Sequence, residues 1–329
     1  LRKEEAKEIT DVDEVKFKSQ FNSDIHKMIT MKDEINLYLD LERMSADTEG
    51  TISHKFANEM MNKYPQIRVN NIYSKIGELR LKKSPQEVEK IKKAIEITKS
   101  GIEKLMTECR SGMKEYELEA YFDFNCKIKG ATDLAFTTIA AAGKNATTLH
   151  YVENNSKLKD GDLILFDLGA EYNCYNADIT RTFPISGKFT ERQKEVYNSV
   201  LKVNEEIINL IKPGMKYKDI NEKATDLIAE ECIKLGLIKD KSEVRKYYYH
   251  SIGHSLGMDT HDIETPHRDI IFEPGVVFTV EPGIYIQEEG IGIRIEDDIL
   301  VTNEGVINLS SDIIKSVDDI ENFMDKFTK

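Results

Sequence analysis

Apolar residues recur along the chain at two spacings. From Ser84 onward, Val88, Ile91, Ala94, Ile95, Thr98, Ile102 and Leu105 fall three or four apart, the repeat of one helical face. The run Ser84-Pro85-Gln86-Glu87 marks where that helix begins. It supplies a capping hydroxyl, a proline at the first helical position and a glutamate three residues after the cap. Leu163–Leu168 and Val277–Val280 are instead apolar runs of strand length. Ile179–Phe183 reads as a return strand, with turn residues over Ala170–Asn176, so 163–183 is predicted to be a hairpin. Ile291–Asp297 alternates strictly. That places Arg294 and Glu296 on one face of a predicted strand, and Ile293 and Ile295 on the other.

Before Ser84 the pattern is weak and the residues are mostly charged. Ile35–Leu41 alternates like a strand and Ser53–Lys63 reads as a short helix, but this stretch is too polar to predict a substantial core. Residues 1–83 are therefore expected to be part of an N-terminal domain, and residues 84–329 the main domain. Within the latter, Arg110-Ser111-Gly112-Met113-Lys114 joins two predicted helices, and Lys212-Pro213-Gly214-Met215-Lys216 does the same later in the chain. A block of strands holding two acids follows each joint: Asp167 and Asp178, then Glu281 and Glu296. The matching placement predicts a duplicated α+β domain, with helices outside one curved antiparallel sheet.

Composition narrows the partners. A net charge of -13 argues against nucleic acid and anionic membranes. No apolar run approaches a membrane span. Cys109, Cys126, Cys174 and Cys232 form no C-x-x-C pair, and are expected to be free thiols in a reducing, cytoplasmic setting.

The acids carry the chemistry. A carboxylate inside an apolar strand, such as Asp167 in LILFDLG, is costly unless paired or bound to a cation. Asp178 is expected to face it across the hairpin, and two such acids repel unless a cation lies between them. Glu281 ends its strand before Pro282-Gly283, and Glu296 joins it on the polar face. His250 and His254 are spaced H-x-x-x-H, with Ser251 where a zincin would carry glutamate; Gly253 and Gly257 favour a strand or loop there. Four carboxylates and one imidazole make a mostly oxygen shell that suits manganese first, with cobalt, iron or zinc also accommodated. Two bridging and two capping carboxylates can hold two cations, roughly 3.5–4 Å apart in sites of this kind.

Five ordered segments then carry a resemblance: LHYVENN from Leu149, GDLILFDLGAEYNCYNADITRTFP from Gly161, HSIGHSLGMDTHD from His250, TVEPGIYI from Thr279 and GIGIRIEDD from Gly290. From about Leu79 to the C-terminus, the chain resembles the pita-bread metallopeptidases, and within them the Xaa-Pro aminopeptidase (aminopeptidase P) branch. The resemblance implies that Asp167 chelates one metal, that Asp178 and Glu296 bridge two, and that His254 and Glu281 complete the shells. Glu281 is implied as the general base. His150 and His261 are implied to stabilise the carbonyl oxygen and hold the substrate, and His250 to flank the pocket for the residue after the cleaved bond. Arg294 would pair with the acidic shell, and Tyr285 would hydrogen-bond near it. The implied substrate is a peptide that begins Xaa-Pro, cut after its first residue. A dipeptidase acting on Xaa-Pro and a non-catalytic peptide-binding relative are the alternatives. The family's N-terminal domain is larger than 1–83 and contributes to subunit contacts, so a homo-oligomer is compatible with the resemblance.

Overall fold

A computed structural model describes residues 2–43, 47–262 and 270–327. Helices α1 (Lys3–Thr10) and α2 (Phe21–Thr30) lead into β1 (Ile35–Leu39), α3 (Ile52–Lys63), β2 (Ile67–Asn71) and α4 (Tyr73–Leu81). Strands β1 and β2 pair in parallel, with Ile35 opposite Ile67. Ile29, Met60 and Ile67 form a small core over which Ile25, Phe56 and Tyr64 pack. The chain divides into two units, Leu1–Ile76 and Gly77–Lys329, with the division inside α4. The residues just before Ser84 are tied into the second unit. Lys83 N–H donates to Gly275 O at 2.7 Å, and its buried ammonium donates to Asp262 Oδ2 at 2.9 Å.

The second unit opens with α5 (Pro85–Glu108), and its cap follows the sequence prediction. Ser84 N–H donates to Glu87 Oε2 at 2.7 Å, while Ser84 Oγ accepts from Glu87 N–H at 3.4 Å. Its predicted apolar face, Val88 to Leu105, is buried. After it come α6 (Glu115–Ile128), β3 (Asp133–Leu134), β4 (Ile139–Ala142), β5 (Leu163–Leu168), β6 (Ala170–Tyr172), β7 (Tyr175–Asn176) and β8 (Ile179–Pro184). The second half repeats the order: α7 (Glu191–Leu210), α8 (Tyr217–Lys234), β9 (Val277–Val280), β10 (Gly283–Ile286), β11 (Ile291–Arg294), β12 (Asp297–Val301) and β13 (Val306–Asn308), closed by α9 (Val317–Asp325).

The two joints are built alike. Gly112 and Gly214 have φ of 92° and 90°, a left-handed conformation that favours glycine. Gly112 N–H donates to Leu158 O and Leu158 N–H to Met113 O; Gly214 N–H donates to Phe272 O and Phe272 N–H to Met215 O. Glu115 N–H and Tyr217 N–H then bond to Ser156 O and Ile270 O. The same turn thus docks against the same kind of strand twice.

Two segments differ from their predicted form. Ala170–Asn176 is not a simple turn: β6 and β7 form their own hairpin, closed by Asn173 and Cys174 at positive φ. Ile291–Asp297 is not one strand. β11 pairs with β10, and β12 pairs with β9 and β13. The break lies where Ile295 N–H turns to Pro282 O and Glu296 N–H turns to Thr180 O. Strands β4, β5 and β8 make a further ladder, so the curved sheet is assembled from short ladders. Among the described residues, no helix is long and apolar enough to cross a membrane.

Candidate metal centre

Asp167 and Thr180 are direct partners in the β5–β8 ladder, and Asp178 lies two residues before Thr180. Side chains two apart on an extended chain leave the same face, so the three open into one space. The opposing wall comes from β9. Thr279 N–H donates to His254 O at 2.9 Å and Glu281 N–H to Ile252 O at 2.8 Å, while His254 N–H donates to Thr279 Oγ1 at 3.0 Å. This pairing leaves His254 Nε2 and Glu281 Oε1 3.7 Å apart. It also needs glycine at 253, where a Cβ would lie 2.0 Å from Thr279 O. Glu296 reaches the same space from the break between β11 and β12, and its Oε2 accepts from Thr180 Oγ1 at 2.6 Å.

The resulting geometry could hold a cation. Asp178, His254 and Glu296 offer ligand atoms all within 4.8 Å of one another. His254 Nδ1 lies 3.2 Å from Ser255 O. A carbonyl only accepts, so Nδ1 carries a hydrogen, and Nε2 is the ring nitrogen turned toward the acids. Nε2 faces Asp178 Oδ2 at 3.4 Å. Asp167 Oδ1 is buried with no hydrogen-bond partner. Burial, reinforced by Asp167 and the other neighbouring acids, raises Asp178 well above the usual carboxylate range. Glu296 is raised in the same way, by burial and then by Asp178. Burial pushes Glu281 up to about 7, although His254 and Arg294 pull it down. Acids that cannot all ionise together, an orphaned oxygen and an aimed imidazole are together what divalent cations satisfy.

Arg294 and Tyr285 link this centre to His250. Arg294 donates to Asp167 Oδ2 at 2.6 Å, to Thr180 Oγ1 at 3.0 Å and to the Tyr285 hydroxyl at 3.1 Å. The Tyr285 hydroxyl also lies 2.8 Å from His250 Nε2, and His250 Nδ1 lies 2.7 Å from Ser251 O. Since Nδ1 must donate to the carbonyl, Nε2 accepts from Tyr285, whose oxygen accepts from Arg294. Burial, then the Arg294 charge, holds His250 down at about 3, consistent with this neutral tautomer. The His261 ring lies tilted against that of His254, with centroids 4.1 Å apart. His150 is exposed on an irregular segment, within electrostatic range of both His250 and His261.

Sequence reasoning missed the layer behind the acids. Thr180 holds Glu296 and Arg294 together, and Arg181 is wholly buried behind them. Arg181 donates to Thr180 O at 2.9 Å, to Glu296 O at 2.6 Å and to Asp297 Oδ1 at 2.7 Å. Burial raises Asp297, but Arg181 and Lys315 overcome it and hold the carboxyl at about 2. The available signal was Thr180-Arg181-Thr182, a polar run inside a strand, followed later by an acid directly after Glu296.

Residues 89–303 match the model of metallopeptidase family M24. The chain is 40% identical over 266 residues to a Xaa-Pro aminopeptidase of Escherichia coli, covering 76% of this chain and 60% of that protein. It is 40% identical over 268 residues to Xaa-Pro aminopeptidase 3 of Rattus norvegicus, covering 77% of this chain and 53% of the relative. The chain therefore spans a little over half the length of these relatives. Among solved structures, a putative aminopeptidase P from Bacillus anthracis superposes with a TM-score of 0.96 at 46% identity, covering 99% of this chain and 78% of that one. Aminopeptidase P from Escherichia coli with the inhibitor Pro-Leu superposes with a TM-score of 0.89 at 34% identity, with the same coverage, 99% and 78%. These neighbours place the second unit in the pita-bread α+β fold.

Proposed function

The chain belongs to metallopeptidase family M24, and from that premise we propose that it is a metal-dependent aminopeptidase releasing the first residue from peptides with proline in second position. The observation that carries this reading is the convergence of Asp178, His254 and Glu296 within 4.8 Å. The identity to relatives named Xaa-Pro aminopeptidase supports the substrate class.

In this reading Asp167, Asp178, His254, Glu281 and Glu296 hold two divalent cations, with manganese best suited to the donor set. When bound, such ions supply Lewis acidity toward water and toward a peptide carbonyl. The remaining work falls to the chain. Glu281 takes the proton released as water attacks. His150 and His261 stabilise the carbonyl oxygen as charge builds on it. His250, held neutral and fixed by Ser251 and Tyr285, flanks the proline ring. Arg294 keeps Asp167 oriented. The acidic wall receives the free amino terminus of the peptide. An X-Pro bond lacks an N–H, so recognition rests on ring shape rather than on that donor. The free cysteines fit a reducing setting such as the cytoplasm.

The test is release of the N-terminal amino acid from an Xaa-Pro-Xaa tripeptide, with an Xaa-Pro dipeptide alongside, in Mn²⁺ and then after chelation. Metal-dependent cleavage of the tripeptide is expected. Cleavage of the dipeptide alone would make the protein a prolidase, and failure on both with metal bound would refute the substrate assignment.

A further inference from the structure

His150 lies between a 3₁₀ turn, Gly143–Thr147, and the strand-like contact at Lys157, with no regular structure of its own. The function proposed above requires its imidazole to keep one position. Its neighbours show part of how this is done. Leu149 and Tyr151 pack into a small cluster with Leu165 and Tyr285, so the residues on either side of His150 are drawn inward. Tyr249 holds the approach to this segment, donating from its hydroxyl to Thr147 O at 2.5 Å.

The rest is done by Glu115, the first residue of α6, whose side chain is completely buried. Burying a carboxylate is expensive unless donors surround it. Here four donors do so, and none is a cation. Oε1 accepts from Ala142 N–H at 2.7 Å and from Asn145 Nδ2 at 3.0 Å. Oε2 accepts from the Tyr151 hydroxyl at 2.8 Å and from Ser156 N–H at 2.8 Å. Two of these donors precede His150 in the chain and two follow it, so one carboxylate pins the segment on both sides.

The internal duplication shows that the helix joint itself does not require this acid. The equivalent residue in the second half is Tyr217, and its N–H bonds to Ile270 O just as Glu115 N–H bonds to Ser156 O. The joint closes with a tyrosine there. What distinguishes the first half is the segment that carries His150. We propose that Glu115 is a positioning residue, which through Ala142, Asn145, Tyr151 and Ser156 fixes where His150 stands over the metal centre. The proposal rests on the role given to His150 above.

Two measurements test it on the full chain. With histidines labelled with carbon-13 at Cε1, the His150 signal is assigned by its loss in His150→Ala. Glu115→Gln turns an amide N–H₂ or a weaker acceptor toward donors, and should shift the His150 signal while leaving His26 and His54 in place. Tyr151→Phe removes one donor and keeps Glu115, so it reports even if Glu115→Gln does not fold. A His150 signal unmoved by the folded variants overturns the proposal. In the peptidase assay, either variant should lower kcat by about tenfold to a hundredfold with metal content unchanged. In a His150→Ala background the same substitution should add little. Equal losses with and without His150 would also overturn it. A wild-type protein that cleaves no Xaa-Pro peptide would refute the aminopeptidase reading, and the labelled-histidine measurement would still decide the positioning.

Discussion

Arg294 donates to Asp167 Oδ2 at 2.6 Å, and the other oxygen of that carboxylate is buried with no hydrogen-bond partner. The guanidinium fixes one half of the acid, and in the proposed reading the second half serves a cation. Arg294 does this while also reaching Thr180 and Tyr285. Arg294→Lys replaces a planar fork with a single ammonium that cannot hold three partners in place. We expect kcat and metal affinity each to fall about 10–100-fold. Metal titration alongside steady-state kinetics checks this, and wild-type values in the variant would remove Arg294 from the machinery.

Thr180→Val keeps the shape of the side chain and deletes the hydroxyl that bridges Glu296 Oε2 and Arg294 Nε. Glu296 then loses its anchor without any change in core volume. Apparent metal affinity should drop about 10–100-fold, while stability should change by only about 1–2 kcal/mol. Calorimetric titration with Mn²⁺ and a thermal melt separate the two effects. A melt that collapses with unchanged affinity would mean that Thr180 acts only in the fold.

Gly253→Ala places a methyl group where a Cβ would lie 2.0 Å from Thr279 O. The strand-like pairing of 252–254 with β9 must open to admit it, and that pairing sets His254 beside Glu281. We expect a loss of about 1–3 kcal/mol from the forced shift, together with reduced metal stoichiometry. Full metal content in a destabilised variant would show that the pairing adjusts without moving His254.

Glu281→Ala should abolish turnover with little unfolding, because removing one acid relieves repulsion among Asp167, Asp178 and Glu296. A variant that retains near-wild-type rates would end the general-base assignment. His254→Ala should lower the number of metals bound per chain, measured by elemental analysis.

Chelation tests the same electrostatics without mutation. Ions that bind the folded chain alone stabilise it by about 2.7 kcal/mol at a hundredfold excess over Kd. The chelated protein should therefore melt at a lower temperature than the Mn²⁺ form, and Mn²⁺ should restore both melting temperature and activity. A melting temperature indifferent to Mn²⁺ would contradict the site.

Much of this protein was determined by its sequence alone. The start of α5 follows from Ser84-Pro85-Gln86-Glu87, because a cap depends on residues three apart. The twin joints at Gly112 and Gly214 follow from local backbone freedom. Asp167, Asp178, Glu281 and Glu296 stood out because acids in apolar strands demand a reason. Only the tertiary structure decided what lies between these elements. Ile291–Asp297 alternates as one strand would, yet it splits into β11 and β12 because Glu296 N–H finds Thr180 O on the other half of the unit. Thr180, Arg181 and Glu115 looked like ordinary polar residues until the chain path brought Glu296, Asp297 and the His150 segment to them. Periodicity reports which side of an element is apolar. A hydrogen bond between residues far apart in sequence depends on where folding carries each one, and no local pattern records that.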